Sequence, residues 1–164
     1  MHTEVKNTLG YLLGLCIFVL GIPALMWIVS ERDWHYIPGF ERLIPATVLV
    51  AVGISLSLWS IIYMRVVGKG NPFDAYGVEV APRTRHLMTD GPYRFCRNPM
   101  LLGVYILDIG VLIYLWSWWP LVLVAAEVIL LTLQVHSEEK RLEQDFGEEY
   151  LAYKKRTGRY LPFL

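Results

Sequence analysis

The residue types able to do chemistry in this chain are concentrated in one stretch, Arg85-His86-Leu87-Met88-Thr89-Asp90-Gly91-Pro92-Tyr93-Arg94-Phe95-Cys96-Arg97-Asn98-Pro99. Gly91-Pro92 is a turn signal, and Asn98-Pro99 reads as a cap followed by the first residue of a helix. A helix start presents amide N–H groups without intrahelical partners, and beside Arg97 these would seat an anion. The same arginines would also hold a loop against lipid headgroups, so the stretch alone leaves both readings open. A second constellation, His136-Ser137-Glu138-Glu139, offers paired carboxylates that, with the cationic stretch, suit a zwitterionic, partly cationic ligand. Taken alone it is also an ordinary charge cluster at a helix exit. Asp108 and Glu127 stand apart, as acids inside apolar runs. They read either as a structural pair or as a polar anchor for a substrate headgroup, since carboxylates in a membrane face a partner or a cavity.

The elements that must position these groups follow from composition. The chain has 164 residues, 55% of them hydrophobic and only 18% charged, with a formal net charge of +0. A soluble domain of this size leaves too much surface exposed to hide so large an apolar share. The neutral balance gives no electrostatic case for a nucleic-acid partner. Cys16 and Cys96 are too far apart for a metal-ligand spacing, and His2, His35, His86 and His136 are isolated from one another, so no metal site is expected. Gly68-Lys69-Gly70 is neither a dinucleotide fingerprint nor a phosphate-binding loop. An all-α integral membrane protein remains.

Residues 9–30 and 43–67 are apolar runs long enough, at about 1.5 Å per residue, to cross a core of roughly 30 Å. The first leads straight into Glu31-Arg32-Asp33 with no cleavage signal, and reads as an anchor. A third block, 99–135, is too long for one span and is broken at Trp116-Ser117-Trp118-Trp119-Pro120. Tryptophans favour the membrane interface and Pro120 suits a first helical turn, so helices at 99–115 and 119–135 form a hairpin. Beyond it, Leu142, Phe146, Tyr150 and Tyr153 recur at helical spacing among charges, which predicts a separate amphipathic helix over 137–153. The organisation is one membrane domain over 1–164: two spans (1–67), a connector (68–98), the hairpin (99–135) and a tail (136–164). Arginines and lysines crowd the connector and the tail, whereas the loop after the first span has only Arg32 and Arg42 against three acids. The positive-inside rule places the connector, the tail and both termini in the cytoplasm. Both ends of the hairpin then share one membrane face. Arg97-Asn98 and Glu138-Glu139 should meet there, roofed by Tyr93 and Phe95.

Two linked blocks carry a family resemblance. Gly91-Pro92-Tyr93-Arg94-Phe95-x-Arg97-Asn98-Pro99-x-x-x-Gly103 and Glu138-Glu139-x-x-Leu142-x-x-x-Phe146-Gly147-x-x-Tyr150-x-x-Tyr153 together resemble the isoprenylcysteine carboxyl methyltransferases and the related membrane phospholipid methyltransferases. The resemblance covers the chain from Arg83 onward. It implies S-adenosylmethionine bound at the cytosolic mouth of the last helices and a lipid-like or small hydrophobic methyl acceptor drawn from the bilayer. Carried over by position, cofactor contacts fall on Arg85, His86, Leu87, Met88, Tyr93, Arg97, Asn98, Pro99, Met100, Leu101, Glu138 and Glu139.

Three positions depart from the family pattern. Leu101 stands where a tyrosine is usual, Asn98 where histidine is commoner, and Gln134 where the prenylcysteine enzymes carry an arginine for the substrate carboxylate. Gln134, Asp108 and Glu127 are the candidates for the acceptor. No catalytic base is assigned, because alignment and exclusion of water carry most of a transfer from a reactive sulfonium. Other readings stay open beside the methyl-transfer one: a phospholipid amine N-methyltransferase, a non-catalytic membrane adaptor, and a reductase-like protein using NADPH.

Overall fold

The computed structural model describes residues 13–69 and 86–161, and every regular element among them is helical. A π-helical stretch, Leu15–Gly21, runs into helix α1, Ile22–Val29. It ends where the Ser30 hydroxyl turns back to the Trp27 carbonyl at 2.7 Å and Glu31 adopts a positive φ of 55°. Helix α2 covers Phe40–Tyr63 and closes in a π turn, Met64–Gly68. It starts a full turn before the expected residue 43, with Gly39 accepting from the amides of Arg42 and Leu43. Pro45 therefore lies inside the helix. After a 3-10 turn at Gly91–Arg94 come α3, Pro99–Leu115, and α4, Trp118–Arg156.

The hairpin forms where expected, around a left-handed Trp116 with φ 46°. The separate tail helix does not. Helix α4 continues without a break through His136-Ser137-Glu138-Glu139, because nothing between Val135 and Phe146 disfavours a helix. Its direction changes only at Gly147, whose φ of 52° and ψ of −128° suit glycine alone. Its far half is amphipathic as anticipated: Tyr150 and Tyr153 are buried while Asp145, Glu148 and Glu149 face out.

Helices α2 and α3 are the closest-packed pair, and small residues make that possible. A Cβ placed on Gly53 would lie 2.5 Å from the Gly103 carbonyl oxygen, and one on Gly103 would lie 2.6 Å from that of Gly53. Backbones this close are the usual means of helix association in lipid, which supplies no hydrophobic drive of its own. The hairpin arms α3 and α4 approach each other far less closely, and side chains fill the wedge between them.

At the turn end, Arg32 donates to the carbonyls of Leu115 and Trp116, the last of α3, as a cation at a helix C-terminus should. Tyr114 donates to the Tyr36 carbonyl beside it.

The helices Phe40–Gly68 and Trp118–Arg156 are long and apolar enough to span a bilayer, yet only 17% and 28% of their apolar windows are buried in the protein. A core helix of a soluble protein would be mostly covered. Leu20, Ile28, Val48, Ile62, Ile129 and Leu133 instead point outward, where lipid satisfies them. The fold is that of an all-α membrane protein.

Candidate functional site

The two constellations do meet. Arg97, just before α3, and Glu139, just past the midpoint of α4, form a buried ion pair at 2.8 Å, their side chains 9% and 4% exposed. A second bond, from Arg97 Nε to Glu139 Oε1 at 3.1 Å, makes the contact two-pronged. Arg159 adds two more, Nε to Oε1 at 3.1 Å and Nη2 to Oε2 at 2.7 Å. Burial alone would raise the Glu139 pKa, but bonds from Arg159 and Arg97 outweigh it and hold the carboxyl below its ordinary value.

Arg159 arrives on a strap, residues 157–161, that folds back after α4. The strap carbonyls take up the donors around the start of α3: Arg97 N–H donates to Gly158 at 2.9 Å and Asn98 N–H to Arg159 at 3.1 Å. The Asn98 side chain also donates to Arg159 instead of capping the helix, and Arg97 Nη1 donates to the carbonyls of Lys154 and Thr157. The amides of Arg97 and Asn98 and the guanidinium of Arg97 are thus taken up by the chain itself. Sequence reasoning counted Arg159 as one more tail charge and passed over Thr157 and Tyr160, because a strap has no periodicity. The basic residue following a helix and its kink was the one available signal.

Glu138 behaves differently from its neighbour. Its side chain is half-buried, 34% exposed, and among the described residues its ion-pair partner is Arg141 at 3.6 Å, beyond hydrogen-bond length. Burial, and then the charge of Glu139, push its pKa up to about 7. Gln134 lies one turn earlier on the same face, half-buried.

The remaining candidates divide by depth. Arg85 lies outside the described residues. His86 is exposed and Leu87 half-buried, while Met88 and Tyr93 pack with Met64 and Tyr63 into a small cluster beneath the 3-10 turn. Tyr153 ties that cluster to α4 by donating to the Tyr93 carbonyl at 2.6 Å. Of the expected aromatic roof, Tyr93 is buried and Phe95 is exposed. Pro99 is buried, and the Met100 carbonyl accepts from Ser57 at 3.0 Å. Leu101 packs with Leu131 and Val135 across the wedge. Deeper still, Asp108 and Glu127 adjoin across the hairpin arms, 0% and 7% exposed. Among the described residues no other side chain satisfies any of their four oxygens. They are brought together with each other, but not with the Arg97–Glu139 cluster.

A family model described as phospholipid methyltransferase matches residues 42–149, from α2 through the kink of α4. The chain belongs to the phospholipid methyltransferase family. Protein-S-isoprenylcysteine O-methyltransferase of Mus musculus is 37% identical over 87 residues, covering 49% of this phospholipid methyltransferase family member and 29% of the relative. The enzyme of the same name from Rattus norvegicus matches to the same extent. The matched stretch is therefore less than a third of the length of these relatives. No solved structure matches the chain.

Proposed function

We propose that the protein is an S-adenosylmethionine-dependent methyltransferase acting on a lipid-like or small hydrophobic acceptor at the cytosolic face of the membrane. The observation that carries this reading is the convergence of both hairpin ends on one polar mouth, with half-exposed Glu138 beside the Arg97–Glu139–Arg159 cluster. The residues fit the cofactor at its cationic end. Glu138 keeps acceptor capacity for an ammonium or for ribose hydroxyls, and Met88, Tyr93, Met100 and Leu101 offer apolar surface nearby. Its carboxylate belongs with the donors of Arg85 and His86, because the guanidinium of Arg97 is already committed. Glu139 and Arg97 then position the mouth rather than touch the cofactor.

When bound, S-adenosylmethionine supplies an electrophilic methyl group on a sulfonium. The chain's own task is to align an acceptor with it and exclude water, which membrane-buried walls do without further machinery. The positive-inside rule supports placing the mouth, the tail and both termini in the cytoplasm. Gln134, Asp108 and Glu127 line the direction from which an acceptor would come.

The test is calorimetric titration of S-adenosylmethionine into detergent-purified protein, with mass spectrometry of methyl-labelled lipid extracts alongside. Saturable binding, weakened at least tenfold by Glu138→Ala, is expected. No binding to the wild-type protein, with NADPH binding in its place, overturns the reading.

A further inference from the structure

The wedge between α3 and α4 is filled at its inner end by a side chain from neither helix. Tyr160, on the strap, packs against the cluster of Leu101, Leu131 and Val135. Its ring meets that of Tyr105 edge-on, centroids 5.4 Å apart. Its hydroxyl stands 3.4 Å from that of Thr132 on α4. The hydroxyls of Tyr105, Tyr160 and Thr132 therefore gather at one point, and Tyr105 lies within electrostatic reach of Glu127. A row of polar groups, a polar lane, thus extends from Tyr160 on the strap through Thr132 and Tyr105 toward the Asp108–Glu127 pair, beside the apolar cluster of Leu101, Leu131 and Val135.

This lane is short of partners. The Tyr105 hydroxyl and the carboxyl oxygens of Asp108 and Glu127 are buried, and apart from the contact of the two acids with each other no hydrogen bond among the described residues satisfies those carboxyls. Buried polar atoms are nearly always satisfied, and in a bilayer no bulk water stands in. So many open positions in one line call for a ligand with a polar group. Tyr160 stands where such a ligand would pass from the lane to Met100, Leu101 and the mouth.

We propose that Tyr160 is a specificity-determining residue of the acceptor site: its ring closes the inner end of the lane, and its hydroxyl, with those of Thr132 and Tyr105, holds the polar group of a lipid-like acceptor. This rests on the methyltransferase reading for what the ligand becomes, but not for whether it binds. Because the strap is fastened by Arg97 and Arg159 to Glu139, the same cluster that shapes the cofactor mouth also sets the position of Tyr160.

The test uses two diazirine-tailed probes, S-farnesylcysteine and phosphatidylethanolamine, irradiated with the full-length protein in detergent, with labelled peptides located by mass spectrometry. At least one probe should label a peptide containing Tyr160 and one containing Tyr105 or Thr132, and excess unlabelled parent compound should compete. Tyr160→Phe should cut that labelling at least threefold and leave S-adenosylmethionine affinity unchanged, whereas Leu161→Ala, at an exposed position, should alter neither. Labelling confined to the lipid-facing surfaces of α1 and α2, or undiminished in Tyr160→Phe, overturns the proposal while cofactor binding still stands. Competed labelling at Tyr160 in a protein that binds no S-adenosylmethionine upholds the acceptor lane and defeats the methyltransferase reading.

Discussion

Glu138 and Glu139 are neighbours in the chain with opposite electrostatic fates, and each gives a pH dependence of its own sign. Glu139 is held below its ordinary value of 4.5, so folding releases protons from it; its stabilisation is present above that value and is lost as pH falls through the folded pKa. Glu138 is raised to about 7, so the folded chain holds its proton more tightly; that contribution is full below 4.5 and lost as pH rises through about 7. An ionised Glu138 is nevertheless what an ammonium requires. Cofactor affinity should therefore rise about tenfold between pH 6 and 8, as the ionised fraction does for a group titrating at 7. Calorimetry at the two pH values checks this, and Glu138→Gln should bind weakly and equally at both. In thermal melts the same variant should match the wild type at pH 5 and exceed it at pH 8. Arg97→Ala leaves Glu139 with one close guanidinium and strips the Lys154 and Thr157 carbonyls of their side-chain donor, while the backbone bonds to Gly158 and Arg159 remain. Loss of a partner from a buried pair costs about 3–5 kcal/mol, which should show as a lowered melting temperature in detergent.

Helices were legible where their signals are local. The Trp116–Pro120 break, the apolar runs and the spacing of Tyr150 and Tyr153 are all properties of short windows, and the hairpin and buried face follow from them. The end of α4 was misjudged because a shift from apolar to charged residues marks a change of solvent, not of backbone; both halves of Trp118–Arg156 favour a helix. Convergence of Arg97 and Glu139 was legible from topology, but the strap was not, since it docks on α3 through the carbonyls of Gly158 and Arg159 and every residue carries one. Close packing of α2 on α3 has a direct test. Gly103→Ala forces a methyl against the Gly53 carbonyl and should cost about 1–3 kcal/mol, the range for an overpacked contact, in thermal unfolding. Gly147 is limited by conformation rather than space, as a Cβ there meets nothing within 4 Å. Gly147→Ala should cost about 1–3 kcal/mol through backbone strain and should loosen the strap, read as faster amide exchange at Gly158 and Arg159.

As a whole, the molecule is asymmetric along the membrane normal, and that asymmetry decides where its chemistry can occur. One end carries Arg32 closing the last turn of α3 among Trp27, Trp34, Tyr36 and Tyr114, an aromatic belt with few cations. The other carries Arg94, Arg97, Arg141, Lys154, Lys155, Arg156 and Arg159, with the mouth in their midst. A positive end of this kind resists translocation, so insertion should leave it in the cytoplasm, where a soluble nucleoside cofactor is available. Two variants on a Cys16→Ser background, each adding one cysteine to the buried Cys96, measure this: Lys155→Cys near the mouth and Trp34→Cys, at a position 83% exposed, near the belt. Cys96 is buried and stays unreactive. In sealed vesicles of known orientation, a membrane-impermeant maleimide should reach Lys155→Cys only from the cytoplasmic side and Trp34→Cys only from the opposite side. Labelling of both from one side would mean that the hairpin does not cross the bilayer, and the lane between its arms would then open to water rather than to lipid.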